Sequence, residues 1–363
     1  MTHSLTLAVE IDGDGRHPQA WRRSAHVPAD ALGPRRWTRV ARGAENAGFA
    51  FATVTDTPVT SDDGPAGRLD AVLRASFGSG LTSRLGWAPQ VHPRAVEPFQ
   101  LAAQLASLDH ASRGRAAWLV ADGELAGLGA ALGREVPTEP EPRRREVAQV
   151  IEAVRRLWDS WDDDAVIKET TTGRYVDAAR VRYTDITADT FTIRGASITP
   201  RPPQGHPVVL APDGLLADDE LPGRVDIVLV SHPDLDAALA RAERVRELGA
   251  LAFLDLQVTL DGEVSAADRL RDLGPDPRRG EVAAYDGAAE GLVGLLTSLA
   301  GRVDGVRLLP TVLDEDLPVL AGQVVPALSL AQLAHPPRPA AHLRAALGLP
   351  RPANTFDLEE VSA

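Results

Sequence analysis

Cysteine is absent from this 363-residue chain. Disulfides, thiolate metal sites and thiol nucleophiles are thereby excluded. Lysine occurs once, as Lys168, within the polar run Ile167-Lys168-Glu169-Thr170 that reads as an exposed loop. A phosphate-binding P-loop needs a lysine after its glycines, and a Schiff-base enzyme needs one in an apolar pocket, so both classes fall away. Gly13-Asp14-Gly15 and Gly78-Ser79-Gly80 are short turn signals that never extend to GxGxxG, and neither HExxH nor GxSxG occurs. Hydride-transfer Rossmann enzymes, zinc proteases and serine hydrolases are therefore poor readings. No calcium-loop spacing follows Asp12 and Asp14, and no metal site is expected. The N-terminus turns polar within a few residues and no apolar run approaches membrane length, which reads as a cytoplasmic chain without signal peptide or span. Basic residues are outnumbered 38 to 51, for a net charge of −13. That balance disfavours nucleic acid and anionic membranes as partners.

What is present is a repeated helix-and-strand pattern, clearest at 97–121, EPFQLAAQLASLDHASRGRAAWLVA. Pro98 suits a first helical turn and Glu97 favours the positive end of the helix dipole. Leu101, Leu105 and Leu108, with Ala102 and Ala106, form a narrow apolar face. Arg113-Gly114 marks the stop, and Ala116–Val120 is apolar without alternation, as a strand covered on both sides must be.

The same grammar runs along the chain. Strands are expected at 5–10, 49–55, 81–88, 116–120, 207–211, 225–230, 251–258 and 303–309. Helices are expected at 37–48, 97–113, 144–161, 287–299 and 317–328, and another from a capping box at Ser231-His232-Pro233-Asp234 to Gly249. The weakly alternating 165–198 reads as an excursion with a hairpin, and 261–284 as a polar excursion over the open face. Eight strand–helix repeats with two inserts predict one (β/α)8 TIM barrel domain over 1–363, with a C-terminal arm at 329–363. In such a barrel the C-terminal strand ends carry the site, which places Asp56, Ala88, Val120, Ala211 and Val230 at its rim.

The run at 97–121 resembles a characteristic stretch, EPYHLARxxASLDHLSxGRxGWNVVTS, of the luciferase-like flavin-dependent monooxygenases, in the branch of nitrilotriacetate and dibenzothiophene-sulfone monooxygenases. Arg155-Arg156-Leu157-Trp158-Asp159-Ser160-Trp161, Pro203-Gln204-Gly205-His206-Pro207-Val208 and Leu347-Gly348-Leu349-Pro350-Arg351-Pro352-Ala353-Asn354 look like three more landmarks of that branch, in order. The resemblance implies a TIM barrel that uses reduced FMN from a separate flavin reductase to oxidise a small organic substrate, and that forms homo-oligomers. It places Asp56 beside the flavin, and His17 and Trp21, from an HxxxAWR-like stretch, on the rim of the substrate pocket. It identifies no catalytic residue.

The same alignment shows departures. Leu119 stands where the family has an asparagine against the ring, and Asp122 where it has a threonine. Arg94 falls in the former TTYNEP loop and Arg144 replaces a tyrosine. The QAGAS run after the fifth strand is Ala211-Pro212-Asp213-Gly214-Leu215. Proline removes a donor and aspartate brings a like charge to a phosphate, so FMN is expected to bind weakly unless Arg94 and Arg144 supply new anion donors. A catalytically silent barrel, or a deazaflavin oxidoreductase as in related barrels, are the alternatives.

Overall fold

A computed structural model describes residues 4–27, 30, 32–56, 67–122, 128–133 and 135–357. Eight parallel strands close on themselves: β1 (Thr6–Glu10), β2 (Phe51–Val54), β3 (Gly86–Val91), β4 (Ala117–Val120), β5 (Val208–Pro212), β6 (Ile227–Val230), β7 (Leu251–Leu260) and β8 (Gly305–Pro310). Closure is the β8–β1 pairing, with Thr6 opposite Gly305, and the ring continues through β6–β7. Outward side chains such as Val9, Trp87, Trp118 and Val228 pack under the helices, while Ala8, Phe51, Ala88, Leu119, Leu210, Leu229 and Phe253 fill the lumen. This two-sided burial is why the strands lack alternation.

The organising unit folds as its sequence reads. Glu97 caps helix Pro98–Ser112 by accepting from the Phe99 and Gln100 amides, and Arg113, at φ 59°, ends it. Buried Asp109 then ties the unit together. Its carboxylate accepts from the Ala116 amide at 3.0 Å and from the Gln204 side chain and amide at 2.6 and 3.2 Å.

Several expectations need correction. β3 runs on to Val91, so Ala88 lies inside the strand and not at its end. Helix Ala71–Ser79, which the apolar pattern does not announce, precedes β3. The helix after β6 is Leu235–Glu247 with Asp234 as its cap, and Ser231 instead donates to Asp255. The excursion at 261–284 contributes helix Ala266–Leu273 and the start of Ala283–Gly287, a ninth strand that extends the sheet beside the end of β7. The closing helix is broken into Leu313–Val319, a π-type stretch Leu320–Val324 and Val325–Leu330, where Pro318 removes an amide donor. The excursion at 165–198 forms two short antiparallel hairpins.

Two glycines show how tightly the layers fit. A Cβ on Gly86 would stand 2.8 Å from Leu343, a residue of the C-terminal arm that enters the barrel floor with Leu347 and Leu349. On Gly78 it would stand 2.3 Å from the buried ring of Trp87, whose indole N–H is fixed to Thr82 at 3.1 Å. Gly78→Ala should therefore destabilise by about 1–3 kcal/mol through overpacking, despite alanine's better helix propensity. A denaturant midpoint equal to or above that of the parent would reject this account.

Candidate functional site

The C-terminal strand ends carry a ring of charged side chains, and most are already engaged with one another. Asp12, just past β1, bonds Arg68 at 2.8 Å, Thr55 at 2.5 Å and Arg74. Asp14 bonds His26 at 2.6 Å and Arg36 at 2.8 Å. The loops are thus clamped by buried or half-buried ion pairs, which hold their geometry more than they add stability.

The expected flavin and substrate positions separate into distinct environments. Asp56 follows β2, where its side chain accepts from the Ala71 amide at 2.8 Å and its carbonyl accepts from Gln90 at 3.1 Å. His92, after β3, approaches the same carbonyl at 3.2 Å, and burial pushes its imidazole below the usual histidine range. His17 is buried with Nδ1 accepting from the Gln19 amide at 3.0 Å, and its Nε2 lies 3.3 Å from the Gly274 carbonyl. Its two ring nitrogens are thus satisfied by backbone. Trp21 stands half exposed on the rim.

Arg94 is buried and spent on neighbours: it bonds Asp122 at 2.5 Å and the Pro137 carbonyl at 2.9 Å. Arg143 bonds the other Asp122 oxygen at 3.2 Å. Arg144, one residue on, makes no hydrogen bond or ion pair among the described residues and lines a shallow cleft of about 230 Å³ with Glu141, Arg145, Ala217, Asp219 and Glu220. Past β5, Asp213 is bonded by Arg241 at 2.8 Å, and Arg241 also bonds Asp218 at 2.7 Å. Gly123, the last position of the motif aligned after β4, lies outside the described residues.

These contacts decide how well the chain fits FMN. The expected ring position is an apolar wall at Leu119, which can neither donate to nor accept from a polar ring edge. At the expected phosphate corner Pro212 has no N–H, and Asp213 already takes the nearest guanidinium. A phosphate there would have to displace a carboxylate from Arg241. The set does not fit a flavin anchored in the manner that the resemblance implies.

Sequence reasoning missed a second polar group, within the lumen. Arg307 of β8 makes a bidentate pair with Asp255 of β7 at 2.7 and 2.6 Å, Asp255 also accepts from Ser231 at 2.8 Å, and Glu10 of β1 lies 3.9 Å from Arg307. The signal was present: Glu10, Asp255 and Arg307 are charged residues inside otherwise apolar strands, where a charge requires a partner.

Comparisons with known proteins agree with this architecture. A family model described as luciferase-like monooxygenase matches residues 16–273. N-acetyl-S-(2-succino)cysteine monooxygenase of Bacillus subtilis (strain 168) is 30% identical over 210 residues, 57% of this chain and 47% of that protein, so the match spans about half of this relative's length. One of the subunits of pristinamycin IIA synthase from Streptomyces pristinaespiralis is 30% identical over 290 residues, 80% of this chain and 90% of that one. Among solved structures, a long-chain alkane monooxygenase superposes with a TM-score of 0.81 at 16% identity, covering 96% of each chain.

Proposed function

The chain belongs to the luciferase-like monooxygenase family, and from that premise we propose that it is a subunit of a two-component monooxygenase that holds a small organic substrate without anchoring the flavin itself. Reduced FMN would come from a separate reductase and be held on a partner barrel of the assembly. One observation carries this reading: both corners that would grip the cofactor are closed by ion pairs, Asp122 with Arg94 and Arg143, and Asp213 with Arg241. The extensive match to a protein named as one subunit of a synthase supports a role beside a second subunit.

The contribution left to this chain is to surround the substrate at the mouth of the lumen, above the side chains that fill it. Leu119, Leu210, Leu229 and Phe253 exclude water, while Glu10, Arg307 and Asp255 offer fixed charges to a ligand's polar group. FMN, when bound in such an assembly, would supply the oxidising chemistry.

A second reading keeps the flavin on this chain. It is favoured by Arg144, the cation that lines the cleft beside residues 217–220 without an ion-pair partner among the described residues. Titration of the purified chain with oxidised FMN, with anaerobically reduced FMN and with a deazaflavin separates the readings. Each charge-assisted bond lost is worth about 1.5–3 kcal/mol, so losing a few of them places FMN binding near or above about 1 mM. Micromolar binding of reduced FMN that disappears in Arg144→Ala would establish the self-sufficient enzyme instead, and micromolar binding of the deazaflavin alone would establish the oxidoreductase.

A further inference from the structure

We propose that the lumen around Glu10 is a binding site for a small aliphatic amine, taken as its ammonium ion. As a statement of substrate class this rests on the reading above, while the site itself is argued from the side chains alone.

The register defines the place. Glu10 of β1 is level with Thr53 of β2, and Gln257 of β7 is level with Leu309 of β8, the strand that pairs with β1 on its other side. Glu10, Thr53 and Gln257 therefore follow one register row of the lumen wall, one step above the row of Ala8, Phe51, Arg307 and Asp255. Glu10 has no hydrogen bond among the described residues, and its side chain is 14% exposed, so solvent reaches it. Thr53 and Gln257 are buried to 0% and 1% exposure, and Thr53 Oγ1 and Gln257 Oε1 lack a donor among the described residues. Gln257 Nε2 is already directed at Asp276 and Thr311, both at 3.3 Å, which leaves its oxygen as the free end. The row thus presents a carboxylate, an amide oxygen and a hydroxyl, all able to accept.

Charge selects the ligand. Arg307 is the guanidinium nearest to Glu10, and both of its forks are committed to Asp255. Glu10 is thus left without a hydrogen-bonded cation, and Arg16 and Arg278 act on it only as unbonded charges, so an arriving cation finds a free carboxylate while an arriving carboxylate meets a like charge. An ammonium has three donors and no acceptor, which matches these three acceptors. Burial pushes the Glu10 carboxyl above the usual range, opposed by Arg307 and then by Arg16. A cation beside it would reverse that effect.

The test is calorimetric titration of the full chain, without flavin, with n-butylammonium, n-butyrate and n-butanol. Butylammonium should bind at least tenfold more tightly than either control, Glu10→Gln should weaken it tenfold or more, and Thr53→Val should weaken it less. Glu10→Gln removes a carboxyl whose charge burial disfavours, so its melting temperature should not fall. As a check that needs no variant, binding by the parent protein should fade as pH is lowered and Glu10 takes up a proton. The charged groups around Glu10 are Arg307 of β8, Asp255 of β7, Arg16 and Asp12 from the loop after β1, and Arg278 beyond helix Ala266–Leu273. Butyrate binding as tightly as the amine, no binding of the amine, or indifference to Glu10→Gln would each overturn the proposal. Because no flavin is present, any of these outcomes leaves the cofactor reading to its own titration.

Discussion

Replacing Asp316 by alanine should lower the unfolding midpoint by roughly 4–7 °C, about 3–5 kcal/mol for a barrel of this size. Asp316 is fully buried at the start of the closing helix, where Oδ1 accepts from Arg269 at 2.7 Å and from the Leu260 amide at 2.9 Å, and Oδ2 accepts from the Val312 amide at 2.8 Å. Alanine would leave a guanidinium that is 2% exposed without its hydrogen-bonded carboxylate, and two backbone donors unsatisfied. Removing one member of a buried pair costs far more than the pair itself contributes. Asp316→Asn should cost less, since one acceptor survives. A melting curve of the alanine variant within a degree or two of the parent would show that Glu315, 2.6 Å from Arg269, compensates alone.

The second large effect is acid sensitivity centred on His206. The ring is buried against Trp158, its Nε2 lies 2.9 Å from Asp159, and burial lowers its pKa to about 4, against the opposing pull of the Asp159 contact. Between pH 6.5 and 4 the unfolded chain binds a proton at this position that the folded chain refuses. Stability should be complete above about pH 6.5 and fall by about 3 kcal/mol as pH drops to about 4. His92, also lowered by burial, acts in the same direction, and Asp159 adds to the loss at still lower pH. Burial raises the Asp159 carboxyl, but the bond with His206 and the charge of Arg201 hold it below the usual range. Urea midpoints measured from about pH 7.5 to about 4 should show this slope in the parent, and His206→Leu should flatten most of it. A parent midpoint independent of pH across that window would exclude the mechanism.

The sequence reveals the barrel more fully than the site, for physical reasons. Strands covered on both faces must be continuously apolar, and helices lying on them must carry a narrow stripe, so both leave a mark in every repeat. Helix Ala71–Ser79 escaped because it exposes Leu73 and Phe77 and so shows no clean stripe. The family was legible in local motifs such as 97–121, whose residues contact each other. The site depends on long-range pairs. Nothing near position 94 announces that Asp122 and Arg143 will meet there, and nothing near position 213 announces Arg241, so an arginine free to bind an anion and one already neutralised look the same in sequence. Position 10 was legible in principle, because an acid in the strand Thr-Leu-Ala-Val-Glu must face a lumen with a cation in it.

The manner in which the barrel is sealed bears on how the chain reaches this state. Its ring closes only when Thr6 meets Gly305, and its floor is filled only when Leu343 enters against Gly86 and Phe51. Arg344, beside it, ties the arm to Asp226 at 2.7 Å and to the His206 carbonyl at 3.2 Å. The first strand therefore waits for nearly the whole chain before its partners exist, and contacts of such sequence separation are formed slowly, after their loop entropy has been lost. Partly folded chains will hold Phe51, Phe253 and the edges of β1 and β8 open during that interval. Refolding yield should then depend on protein concentration much more steeply than the final stability would suggest.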